Sequence, residues 1–151
     1  MQIKKSRGFT IIELIVVIAI IAVLASIVLV NVTQYLNKGK NAAIKGNMST
    51  MVTNSAVYFD ANSALFGSSF IAATDYTVPD AATDSANGTG TMVKFGSTTT
   101  QAWCSCSPIN TTTGSGAESG TYCVDSTGYK KVTATVCATR CLSAAAAFCA
   151  D

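Results

Sequence analysis

A chain of 151 residues, of which 49% are hydrophobic and only 12% charged, has room for one small domain beside an apolar anchor and too little charge for a strongly basic nucleic-acid surface. Its formal charge of +2 is set at the N-terminus, because without Lys4, Lys5 and Arg7 it becomes −1. Histidine is absent, and no Gly-rich phosphate loop, nucleophile motif or spaced acid pair stands in for it; the expectation is a protein without catalytic activity, cofactor or bound metal.

Residues 1–8 form a short basic leader, too small to belong to a fold. Residues 9–30 are almost unbroken aliphatic sequence, and at about 1.5 Å per helical residue they can cross a hydrocarbon core of roughly 30 Å. The basic residues before them hold the N-terminus in the cytoplasm and send the rest outward. Glu13 interrupts the apolar run. A carboxylate inside a span costs a few kcal/mol and is kept where it has a partner, and the span itself offers none. In low dielectric a carboxylate is a strong partner for a cationic amine on a neighbouring helix.

The segment Lys5-Ser6-Arg7-Gly8-Phe9-Thr10-Ile11-Ile12-Glu13-Leu14 resembles the class III leader of the type IV pilins and their pseudopilin relatives; beyond residue 30 the likeness is one of layout. The resemblance implies that a prepilin peptidase cleaves between Gly8 and Phe9 and methylates the new amine of Phe9. It implies that Glu13 sets the register of assembly. Subunits would then self-assemble into a helical homopolymer, served by an assembly ATPase and an inner-membrane platform protein. The precursor would be single-pass in the inner membrane, and the product a surface filament for adhesion, twitching motility or DNA uptake. Ala22 and Val30 stand where many pilins carry a glycine and a proline that loosen the helix, so no built-in breaker is visible. One alternative is a pseudopilin of a type II secretion or competence system. Another is a membrane-anchored or secreted disulfide-rich binding domain, the secreted form following from Val23-Leu24-Ala25 before Ser26, which satisfies the rule for an ordinary signal peptidase. Glu13 and the apolar residues that continue past that site argue against such a cut.

Residues 31–62 continue the helix with polar residues interleaved, since no proline occurs before Pro79. Ile44, Met48, Met51, Val52 and Phe59, with Ser55 among them, share one helical face that should pack on a sheet. Residues 63–151 are the expected head. Within it, residues 63–90 read as a surface loop, rich in Ser, Ala, Thr, Asp and Gly with Pro79 and Asn87-Gly88 as turn signals. Asp75, Asp80 and Asp84 raise the question of calcium but lack an EF-hand spacing. Residues 91–135 read as an antiparallel sheet with strands at 91–95, 101–106, 121–124 and 129–135. Asp125-Ser126-Thr127-Gly128 makes a tight hairpin turn between the last two. Residues 136–151 form a Cys-rich end whose alanines at 144–147 suit a short helix or a tethered tail. The fold class is α+β: a long N-terminal helix, half membrane-spanning and half amphipathic, packed on a small antiparallel head with a disulfide-rich C-terminus.

Cys104, Cys106, Cys123, Cys137, Cys141 and Cys149 all follow the span, on the side where oxidation is permitted. They suggest up to three disulfides with the pairing open. A bridge between Cys104 and Cys106 would be strained, so each should reach a distant partner. The rival is a metal cluster on Cys104-Ser105-Cys106 with Cys137 and Cys141, disfavoured by the lack of His and of a CxxC pair. Lys130 and Lys131 beside Tyr129, with Lys94 beside Phe95, make a weak basic and aromatic signal for DNA; the plainer reading is charged edges of exposed strands.

Overall fold

The computed structural model describes residues 8–62, 68–87, 92–97, 102–111, 118–134, 137, 141, 148 and 149, without the side chains of Val30 and Ser68. The fold is α+β. Helices α1 (Ile11–Ala61), α2 (Ser68–Ala72) and α3 (Thr74–Asn87) precede strands β1 (Val93–Gly96), β2 (Trp103–Pro108), β3 (Thr121–Asp125) and β4 (Lys130–Thr133). Contacts divide the chain into two compact units, Met1–Tyr35 and Leu36–Asp151.

In the first unit, α1 runs through residues 11–35 with neither proline nor glycine, so nothing interrupts its hydrogen-bond ladder. None of its large aliphatic side chains up to Leu29 is less than 46% exposed, a surface that water does not tolerate and lipid or a partner helix does. The polar side chains along it fold back on their own helix. Ser26 Oγ donates to the Val23 carbonyl at 2.7 Å, and Asn31 Nδ2 donates to the Ile27 carbonyl at 3.2 Å, which hides both from an apolar medium.

In the second unit, α1 has one buried face. Ile44, Met48, Met51 and Ser55 are buried at helical spacing, with Val52 packed beside them, and the apolar members meet Trp103, Tyr122 and Val124 of the sheet in one core. The expected stripe therefore packs on the sheet through Ile44, Met48, Met51 and Val52, while at its C-terminal end Tyr58, and not Phe59, lies against the core.

The stretch 63–90, expected to be a surface loop, instead contains α2 and α3 over its described residues. Two features hid α3. Pro79 lies inside it and cannot donate to the carbonyl of Asp75 four residues back; the structure fills that vacancy with Asn54 Nδ2, which donates to Asp75 O at 2.6 Å. Three of its buried residues are also polar, namely Asp80, Thr83 and Asn87, so no apolar periodicity marks the inner face. Each finds a partner: Lys94 pairs with Asp80, Thr83 Oγ1 donates to the Pro79 carbonyl at 2.8 Å, and Asn87 Nδ2 reaches Ser107 Oγ at 3.5 Å. Phe70 of α2 joins this layer to the core, its ring 5.4 Å from those of Tyr58 and Tyr76 and 5.1 Å from that of Trp103. Tyr76 also bonds Ser105 through its hydroxyl, whose pKa burial pushes up.

The sheet is an antiparallel meander, β1-β2-β3-β4, close to the four expected strands. Its central strands are buried along nearly their whole length, so both faces are covered. Alternation sends Trp103, Ser105, Tyr122 and Val124 toward the helices and Cys104, Cys106 and Cys123 to the opposite face. There the cysteines bond to the C-terminal segment as Cys104–Cys141, Cys106–Cys137 and Cys123–Cys149, spanning 37, 31 and 26 residues. Loops of that length gain about 2–4 kcal/mol each from closure in the unfolded chain. The alanines at 144–147 lie outside the described residues.

Two connections are held tightly. In the β3–β4 turn Gly128 has φ 89° and its N–H donates to Asp125 O at 3.1 Å, as the sequence led us to expect. Before β3, Gly120 has φ 111°, and any Cβ there would run into the Thr133 carbonyl. Asn41, 1% exposed, staples the β2–β3 connection to α1: its Nδ2 donates to Asn110 O at 2.9 Å and its Oδ1 accepts from Asn110 N at 2.8 Å. Glu118 completes the clasp, accepting from Asn41 Nδ2 at 3.2 Å and pairing with Lys45.

The Lys45 ammonium holds the Glu118 carboxyl below the ordinary carboxylate range, with Asn41 adding to the effect and partial burial opposing it. A folded pKa below the unfolded one gives stability that is present above the unfolded value and lost as pH falls through the folded one. We therefore expect Glu118→Gln to cost less than about 1 kcal/mol at neutral pH and nothing below the folded pKa. Urea unfolding of the full chain in detergent, followed by fluorescence of the buried Trp103, checks this at both pH values.

Candidate functional site in the N-terminal motif

Residues 1–7 of the basic leader lie outside the described residues, and Gly8, Phe9 and Thr10 form a short non-helical approach to α1. Phe9 is 76% exposed, and a Cβ placed on Gly8 would meet nothing within 4 Å. The Gly8–Phe9 bond is thus open to an enzyme, and the chain itself does not require glycine at position 8 for space.

Thr10 caps the helix. Its Oγ1 accepts from the Glu13 N–H at 3.3 Å, while Glu13 Oε2 accepts from the Thr10 N–H at 2.9 Å and from the Thr10 hydroxyl at 2.7 Å. The first helical bond follows directly, from Leu14 N to Thr10 O at 3.3 Å. This reciprocal arrangement is a capping box, and the carboxylate also sits where the helix dipole is positive. The sequence reading that the span offers Glu13 no partner is corrected here: Thr10, three residues earlier, is that partner. The Thr-x-x-Glu spacing before an apolar run was the signal that would have found it.

A carboxylate has about four lone-pair positions, so the box does not exhaust Glu13 as an acceptor. An amine generated at Phe9 would lie one residue before the cap and four before Glu13, at the polar end of an otherwise apolar helix. Ala22 sits within the unbroken α1, and so does the backbone of Val30. Ser26 is helical as well, so the bond before it lies inside α1, whereas the Gly8–Phe9 bond lies outside any helix.

The remaining sequence candidates fall into separate places. All six cysteines are in disulfides, and none is free, so in this oxidised state the proposed metal cluster has no thiolate to offer. Asp80 pairs with Lys94 and Asp84 Oδ1 accepts from Met92 N at 3.3 Å, commitments that do not converge on a calcium site. The DNA signal does not assemble. Lys94 and Phe95 lie on β1 and Lys130 and Lys131 on β4, the two opposite edges of the sheet. Lys94 is drawn to Asp80 and the Tyr76 ring, Phe95 packs on the cystine cluster, and Lys131 lies 5.4 Å over the Tyr129 ring.

α1 is long and apolar enough to cross a membrane, a property that signal sequences near an N-terminus share. Residues 3–29 match the family model for the prokaryotic N-terminal methylation motif, a match that takes in Gly8, Phe9, Thr10 and Glu13 and stops before the second unit begins. No curated protein and no solved structure matches the chain. Motif, exposed glycine, capped carboxylate and apolar helix agree: the chain carries the class III signal motif of the type IV prepilins at the head of its N-terminal helix.

Proposed function

We propose that this chain is a structural subunit of a type IV pilus, without enzymatic activity of its own. The observation that carries the reading is the methylation motif running without interruption into a helix whose aliphatic side chains are exposed along its first unit. Prepilin peptidase hydrolyses the Gly8–Phe9 bond on the cytoplasmic side, and the freed Phe9 amine is methylated. Trimming removes charge but leaves the apolar helix in the inner membrane, so the subunit waits there until it is extracted. Apolar contact among helices then supplies cohesion, and Glu13 facing the Phe9 amine of a neighbour supplies register. Identical head-to-tail contacts that do not close give a filament. The assembly ATPase and platform protein enter by family resemblance, as do adhesion, motility and DNA uptake. Three disulfides in the second unit suit a subunit exposed outside the cell. A pseudopilin of a secretion or competence system shares the N-terminal chemistry and is the second reading.

The intact mass of the chain in filaments sheared from cells tests this directly. A mass beginning at methylated Phe9, rising by two hydrogens for each of the three bridges on reduction, is expected. The same trimmed mass found in membranes and absent from filaments would favour the pseudopilin, and a mass beginning at Ser26 would end both readings.

Two substitutions separate recognition from assembly. Gly8→Leu should fold normally, having open space around it, yet keep the leader; trimmed protein from that strain would contradict the assigned cleavage site. Glu13→Ala should be trimmed at Gly8 but yield few filaments, read as pilin in the sheared fraction against pilin in membranes, and wild-type filament yield would remove Glu13 from the register.

A further inference from the structure

Residues two apart on a strand share a face, and the register sets Cys104 opposite Asp125 and Cys106 opposite Cys123. Asp125 therefore stands among the cysteines, on the side of the sheet turned from the helices. It is 1% exposed, and both of its oxygens are in use. Oδ1 accepts from the Thr127 N–H at 2.8 Å, the Thr127 hydroxyl at 2.5 Å and the Tyr129 N–H at 3.3 Å. Those three bonds build the hairpin turn. The fourth serves no turn: Oδ2 accepts from the Cys149 N–H at 2.8 Å, fixing the backbone of a cysteine 24 residues further on.

That cysteine has a choice of partners. The sulfurs of Cys123, Cys141 and Cys149 all lie within 4.8 Å of one another, yet Cys149 is joined to Cys123 while Cys141 reaches across to Cys104. Proximity of sulfur atoms does not by itself select that outcome. We propose that Asp125 is the residue that determines the pairing, by docking the Cys149 backbone beside Cys123 before the bridge closes.

The step at which it acts is the second of two exchanges. The thiolate of one cysteine first attacks a disulfide reagent such as oxidised glutathione, giving a mixed disulfide and one free glutathione. The thiolate of a second cysteine then attacks the protein sulfur of that mixed disulfide, forming the bridge and expelling the second glutathione. Two electrons pass to the reagent, and the two thiol protons end on the glutathione released. Whichever thiolate is held in reach performs the second attack, and Asp125 holds Cys149 there. The inference concerns maturation of the second unit and is independent of which filament the chain enters.

The test is oxidative refolding of the full chain in detergent micelles from the reduced, denatured state, in a mixture of reduced and oxidised glutathione, with bridges mapped by peptic digestion and tandem mass spectrometry. Asp125→Asn keeps an acceptor for the turn but can present a donor to the Cys149 N–H. It should lower the ratio of Cys123–Cys149 to the two bridges that involve Cys141 with either partner by about tenfold, the weight of one hydrogen bond to a buried charged acceptor. In a Cys104→Ser, Cys141→Ser background the competing Cys141 thiol and its partner are gone, and Asp125→Asn should form Cys123–Cys149 as completely as that background does alone. An unchanged ratio in Asp125→Asn would overturn the proposal. So would loss of Cys123–Cys149 in both backgrounds, which would make Asp125 a general requirement for folding and not a selector.

Discussion

A small sheet whose central strands are buried on both faces needs two covers, and the helices among the described residues supply one of them. The layer built from α1, α2 and α3 covers the Trp103 face with the core around Ile44, Met48 and Phe70. The opposite face is covered by Cys137, Cys141 and Cys149, which bond directly to strand residues. Ordering each residue costs about 1–2 kcal/mol of backbone entropy, and covalent attachment at three points offsets part of that cost; Val93, Phe95 and Tyr129 pack against the cysteine cluster.

The N-terminal unit solves the opposite problem. Its aliphatic surface is exposed, Ser26 and Asn31 bond back to carbonyls of their own helix, and Thr10 and Glu13 are gathered at its start. Glu13 is the instructive case. The capping box gives its carboxylate two donors from Thr10 within the same chain, so the residue is not an orphan charge at the head of the apolar run. Both of those donors fall on Oε2, and the remaining lone pairs of the carboxylate stay open to a further donor.

Legibility in the sequence tracked how directly each element's physics is written in residue type. The apolar run, the buried stripe of Ile44, Met48 and Met51, the four strands and the turn at Gly128 could all be read because apolar spacing or a glycine announces them. The six cysteines announced disulfides but not their pairing, which depends on strand register. Helix α3 was invisible because its inner face is polar and its proline reads as a breaker; its stability comes from Asn54 and Lys94, distant residues that no local window contains. The Thr10–Glu13 box was legible and overlooked, since Glu13 drew attention as a charge in an apolar run and not as the end of a short motif. Asn41 gave no signal at all, and Asp125 announced only its turn, since the loop that Asn41 holds and the cysteine that Asp125 holds are brought to them by the fold.

The bond from Asn54 to the carbonyl that Pro79 leaves vacant also ties two helices together. Donor and acceptor stand 21 positions apart in the sequence, so the ladder of α3 is completed from outside its own segment. A proline that would break a helix standing alone is tolerated here because the neighbouring helix supplies the missing donor, and damage to the α1 turn that carries Asn54 would be felt in α3.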